Sequence, residues 1–185
     1  MIVMMPATGV MPVLVRHAFE DRMPEAGTGK TGSGTATNRE RKHMPNTAHA
    51  TWTGTLQQGN GKVALGQGAF EGDYSFKSRF EDGEGTNPEE LIAAAHAACF
   101  SMATSAALGQ ENVEVESVDT DANVTLKMVD GTPTITRIVL TTTVSAPGAD
   151  EETVRNAAEG AKKQCPVSRA LAGVQDVQLD LTVNT

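Results

Sequence analysis

The sequence is short of aromatic residues (one Trp, one Tyr, five Phe), has only two cysteines, and carries fewer cations than anions. Each shortage excludes something. So few rings leave the core to Val, Leu, Ile, Ala and Met. With 15 Lys and Arg against 23 Asp and Glu, the net charge of −8 opposes a partner held through phosphates or anionic lipid, so neither nucleic acid nor membrane is expected. No window approaches the roughly 18 apolar residues of a membrane span. Residues 1–15 lack a basic start and are broken by Pro6 and Pro12, and Glu20, Asp21 and Glu25 argue against a transit peptide, which leaves a cytoplasmic protein. Two cysteines 66 positions apart make neither a disulfide-dense scaffold nor a paired metal knuckle. In a reducing compartment such a pair is either inert packing or redox chemistry. His49, His96, Cys99 and Cys165 have no ligand-pair spacing, so neither metal nor cofactor is expected.

What is present fits one α+β domain with a leader in front of it. Residues 27–41, GTGKTGSGTATNRER, have no apolar periodicity to offset chain entropy. Their GTGKTGSG run lacks the preceding strand and the full spacing of a phosphate loop and reads as linker. Residues 1–47 therefore form a weakly ordered leader, with Met44 as an alternative start, and 48–185 form the folded domain. Alternation over 48–57 predicts a strand, Gly59-Asn60-Gly61 a turn, 62–70 a second arm, and YSFKSRF over 74–80 a third strand. The period changes at Asn87-Pro88-Glu89-Glu90, where an N-cap residue, a first-turn proline and acids open a helix. That helix runs over 88–108, with Leu91, Ile92, Ala95, Cys99, Met102, Ala103 and Ala106 on one apolar stripe and Gly109 as its stop. Two β-rich runs, 113–129 and 134–146, are joined through Asp130-Gly131 and extend the meander. Asp150 caps a helix to about Lys163, Cys165-Pro166 opens a short one through Ala172, and 174–183 is the last strand.

The segments GTNPEELIAAAHAACFSMA around Cys99 and CPVSRAL around Cys165 resemble the two signature segments of the OsmC/Ohr family, nearest its OsmC branch. The resemblance covers about 47–185, includes RFEDGEGTNPEE, and finds no counterpart for the leader. It implies an intertwined α+β homodimer, antiparallel β-sheets wrapped around long central helices, with active sites at the subunit interface. It also implies reduction of organic hydroperoxides. By motif position, Cys99 is the peroxidatic cysteine, Cys165 the resolving one, and Arg79 and Glu89 the active-site arginine and glutamate. A dithiol reductant, lipoyl-type by family association, would restore the cysteines.

The chemistry tests that assignment. Attack on an O–O bond needs a thiolate, yet an apolar helix face raises a thiol's pKa. Cys99 lies about eleven residues into its helix, beyond the reach of the dipole's positive end, so a side-chain cation is needed. Arg79 is the candidate, with Glu89 holding its fork. Ten residues from Glu89 to Cys99 make about 15 Å of rise and nearly opposite faces, so the pair is expected to serve the cysteine of a partner subunit. Cys165, before Pro166, occupies a helix N-cap, where N–H groups favour thiolate.

Plainer readings remain beside these. Cys99 can be buried packing and Cys165 a structural disulfide partner; Arg79 can decorate a strand and Glu89 serve as a first-turn acid. Two other functions also stay open: a redox-sensing or lipid-binding dimer without turnover, and acyl transfer by a Cys99–His96 pair.

Overall fold

A computed structural model describes residues 46–66 and 68–185 of the chain. The expected leader, residues 1–47, lies outside them apart from Asn46 and Thr47. Strand β1 (Ala48–Thr53) pairs antiparallel with β2 (Asn60–Leu65), and β2 with β3 (Glu71–Ser75). The turn between β1 and β2 begins at Gly54, whose φ of 93° only glycine adopts readily, and Gly59-Asn60-Gly61 instead leads into β2.

YSFKSRF is not one strand. Strand β3 stops at Ser75, and helix α1 (Phe76–Phe80) follows. The reason is a capping box: the Ser78 amide donates to Ser75 Oγ at 3.0 Å, and the Ser75 amide donates to Ser78 Oγ at 2.9 Å. Two short hydroxyls overrule the aromatic alternation.

Helix α2 (Pro88–Gln110) starts where expected, Asn87 Oδ1 accepting from the Glu90 amide at 2.9 Å. It passes through Gly109 and ends against Asn112, which takes the left-handed conformation at φ 58°. The face it buries within this chain is His96, Phe100, Thr104 and Leu108, a strict i, i+4 row. The predicted stripe divides, with Ala103 packed against the core. Ala95 and Ala106 are exposed, Met102 is 75% exposed, and Cys99 sits at the margin. By length and a mean hydropathy of 1.6, α2 also meets the requirement for a membrane span, contrary to the sequence expectation. Its alanines supply that hydropathy, and its buried row packs against protein.

The long hairpin of β4 (Ser117–Val129) and β5 (Thr132–Ser145) turns at Asp130 (φ 49°) and Gly131 (φ 79°), as Asp-Gly predicts. It does not extend the first sheet: β6 (Asp176–Asn184) adds to β5 in parallel, making a second sheet of order β4-β5-β6. A parallel partner needs a crossover, and α3 (Glu151–Gln164) with α4 (Pro166–Ala170) provides it. Alternate residues of β5 face the helices: Leu140 packs with Phe100, Ala158 and Ala161, and Val144 with Leu108, Ala146 and Val154. The core thus holds α2, α3 and the second sheet, whereas every residue of β1 is exposed.

Candidate active site

Two constellations form, and they are separate. The first joins α2 to α4. Cys165 is at once the C-cap of α3 and the N-cap of α4, fully buried, and its sulfur lies 3.0 Å from that of half-buried Cys99. That is hydrogen-bonding contact between two thiols, about 1 Å beyond a disulfide bond. Three residues before Cys99, His96 Nε2 meets Ser168 Oγ at 2.8 Å, and Ser168 lies three residues after Cys165. The helices are therefore linked by two rungs, thiol to thiol and imidazole to hydroxyl.

The two sulfurs are not equivalent. Burial raises the Cys99 pKa, the Cys165 thiol adds to that, and the Val167 N–H opposes it only in part. Burial also works against a Cys165 thiolate, but the Ser168 N–H, the Cys99 thiol, the Ser168 hydroxyl and the Val167 N–H outweigh it, so the pKa falls. No side-chain bond closes the α4 N-terminus; those groups act on the sulfur as oriented dipoles.

The second constellation joins α1 to the start of α2. Arg79 Nη2 and Nε donate to the two oxygens of Glu89 at 2.7 and 3.1 Å, a forked contact on a largely buried carboxylate. The segment between them folds back tightly: the Thr86 amide donates to Asp73 O at 2.8 Å, Ser78 Oγ to Thr86 O at 2.8 Å, and Asn87 Nδ2 to Ser78 O at 3.2 Å. Gly85 permits this with φ 107°, and a Cβ there would lie 2.5 Å from Asp73 O. Arg79 is thus held on a helix rather than on a strand's solvent face. Its guanidinium borders a cavity of about 500 Å³ shared with Asn87, Glu89, Ala93 and β4. Arg79 also lines a hollow of about 310 Å³ walled by Trp52, Leu56, Tyr74, Phe76, Phe80 and Pro88.

All four predicted residues are therefore ordered, but as two pairs. Helix α2 is continuous from Glu89 to Cys99, which sets the ion pair about 15 Å along the axis from the thiol pair. Arg79 makes no contribution to the Cys99 ionisation in this chain. His96 belongs to the thiol pair through Ser168 rather than to Cys99 directly. Sequence reasoning did not find Ser168; the matching three-residue spacings, His96 to Cys99 and Cys165 to Ser168, are the signal that could have. Among the described residues, no His, Cys, Asp and Glu cluster suits a metal ion.

Comparison with known proteins gives this arrangement a context. Residues 81–180 match a family model described as OsmC-like protein. The chain is 45% identical over 130 residues to the peroxiredoxin OsmC of Escherichia coli (strain K12), covering 70% of this chain and 90% of that protein. It is 33% identical over 138 residues to the organic hydroperoxide resistance protein of Xanthomonas axonopodis pv. citri (strain 306), covering 73% and 93%. The crystal structure of the organic hydroperoxide resistance protein OhrB of Bacillus subtilis superposes with a TM-score of 0.57 at 29% identity, over 74% of this chain and 98% of that one.

Proposed function

The chain belongs to the OsmC family, and on that premise we propose that it is a thiol peroxidase reducing organic hydroperoxides in oxidative or osmotic stress defence, with the catalytic unit in residues 48–185. The 3.0 Å thiol pair carries this reading. A Cys99 thiolate attacks the outer oxygen of ROOH; the S–O bond forms, the O–O bond breaks, and the alkoxide leaves as ROH after taking a proton. The Cys99 sulfenic acid then meets Cys165 already in contact. Sulfur–sulfur bond formation expels hydroxide, which leaves as water and forestalls over-oxidation. A dithiol, by family association lipoyl-type, returns both cysteines to thiols by exchange. Free thiols suit a reducing cytoplasm.

Among the described residues of a lone chain the first step lacks its cation, since the Cys99 pKa is raised and Arg79 is held at the far end of α2. The reading therefore places Arg79 and Glu89 of the partner subunit beside Cys99, in a homodimer. Helix α2 supports this: it is apolar on all sides, and the described residues of one chain bury only one row of it. The guanidinium would lower the thiol pKa and stabilise charge on the leaving oxygen. The apolar hollow beside Arg79 suits the alkyl or aryl part of the peroxide.

The test follows loss of cumene hydroperoxide with a dithiol reductant. Cys99→Ser abolishes turnover. Cys165→Ser allows one oxidation, after which mass spectrometry finds sulfenic and higher acids on Cys99 and no disulfide. Turnover unaffected by Cys99→Ser would sink the mechanism.

A further inference from the structure

His96 has no part in the scheme above, yet it is fully buried on the row that faces the core. Burying an imidazole costs free energy unless both nitrogens are bonded. Here Nε2 meets Ser168 Oγ at 2.8 Å, and Nδ1 is buried with no partner. A histidine kept half-satisfied beside a thiol pair calls for an explanation. Leu or Phe, like the neighbouring Phe100 and Leu108, would fill the same core without an orphaned nitrogen.

The two-rung geometry supplies one. Ser168 is the shared member: its oxygen meets His96 at 2.8 Å, it stands three residues after the N-cap Cys165 in the first turn of α4, where its hydroxyl and amide favour the thiolate, and the Cys165 sulfur lies 3.0 Å from that of Cys99. A hydroxyl has one hydrogen to donate. If it is directed at the sulfur, its oxygen must accept from His96, which fixes the tautomer with the proton on Nε2 and leaves Nδ1 the bare, unpartnered atom. We propose that His96 and Ser168 are positioning residues for the resolving step, forming a donor chain from His96 Nε2–H to Ser168 Oγ and from Ser168 Oγ–H to Cys165 Sγ that holds Cys165 as the attacking thiolate. This rests on the peroxidase reading only for the reaction it assists.

The chain moves no proton permanently. Cys165 S⁻ attacks the Cys99 sulfenic sulfur, the S–S bond forms, the S–O bond breaks, and hydroxide leaves to take its proton from water. Burial keeps His96 neutral, so it serves as a fixed donor rather than an acid. Each donor polarises the next, so loss of either end removes most of the effect. The groups that bear on the Cys165 ionisation are Ser168, Val167 and Cys99, with His96 acting behind Ser168.

Two measurements test this, the second independent of peroxide. In rapid-quench experiments on the reduced protein with one equivalent of cumene hydroperoxide, disulfide closure is expected to slow about tenfold in His96→Gln and in Ser168→Ala, the worth of one hydrogen bond to a charged group. The double variant should be no slower than either single one, and Ser168→Thr, which keeps the hydroxyl, should close at the wild-type rate. Closure within about twofold of wild type in both single variants, or penalties that multiply in the double variant, overturns the donor chain. In a Cys99→Ser background, thiolate ultraviolet absorbance should show the Cys165 pKa higher by about one unit in His96→Gln and Ser168→Ala but not in Ser168→Thr. An unchanged titration overturns the proposal even if the protein never reduces a peroxide. A wild type that forms no sulfenic acid, with the titration shifted as expected, overturns the peroxidase reading alone.

Discussion

Cys99 and Cys165 are the same residue type in contact with each other, yet their surroundings divide the labour. Cys165 meets the N–H groups at the start of α4, whereas Cys99 has burial against it and Val167 alone in its favour. Both motifs were legible in the sequence, and so was the N-cap position of Cys165, because Cys-Pro opens a helix by removing an amide that would have no partner. The 3.0 Å contact was not legible, since it depends on how α4 docks on α2. His96 adds a pH prediction. Burial depresses its folded-state pKa below 6.5. Between that depressed value and 6.5 the unfolded chain binds more protons, so this contribution to stability is complete above 6.5 and is lost as pH falls, with a slope of at most about 1.4 kcal/mol per pH unit. Urea melts at about pH 7 and about pH 5 should differ more for wild type than for His96→Gln. Equal differences would show that His96 is not buried neutral.

At the scale of elements, the α1–α2 corner is where local hydroxyl chemistry overruled periodicity. Tyr74, Phe76, Ser78 and Phe80 alternate as a strand would, but Ser75 and Ser78 cap each other and start a helix. A period-two pattern carries no information about such a reciprocal pair until the chain turns. Helix α2 shows a different limit. It is apolar all round, so its sequence does not say which face this chain covers, and the stripe read from it is only partly covered, with Ala95, Met102 and Ala106 left open. Gly85 is the hinge of the corner. Gly85→Ala should cost about 1–3 kcal/mol in chemical denaturation through its φ of 107°, and should lower kcat/KM by loosening the Arg79–Glu89 pair. Phe100→Ala, in the core behind the thiols, should cost about 3–5 kcal/mol. Retained stability in either variant would contradict the packing described.

Across the described residues, much apolar surface of one chain is left open. Strand β1 is exposed throughout, Trp52, Leu65 and Phe80 are more than a third exposed, and Met102 projects from the open face of α2. Apolar surface of this extent marks an interaction site, and in the homodimer proposed above a second copy would complete both the core of α2 and the surroundings of Cys99. Sedimentation should give twice the 19.4 kDa chain mass. Met102→Lys should shift it toward the single chain and lower turnover in proportion, because on the proposed reading the interface delivers Arg79. Full activity in a single chain would mean that Arg79 and Glu89 act otherwise. Glu89→Gln, which keeps the shape and removes the charge, should lower kcat/KM by about ten- to a hundredfold, the worth of a charge-assisted hydrogen bond.

The most direct test of the thiol-peroxidase account is peptide mapping by mass spectrometry of the fully reduced protein after one equivalent of cumene hydroperoxide, without added reductant. The account predicts loss of two hydrogens per chain, a single Cys99–Cys165 disulfide, and one equivalent of cumyl alcohol. Intact peroxide with both thiols unchanged would contradict it.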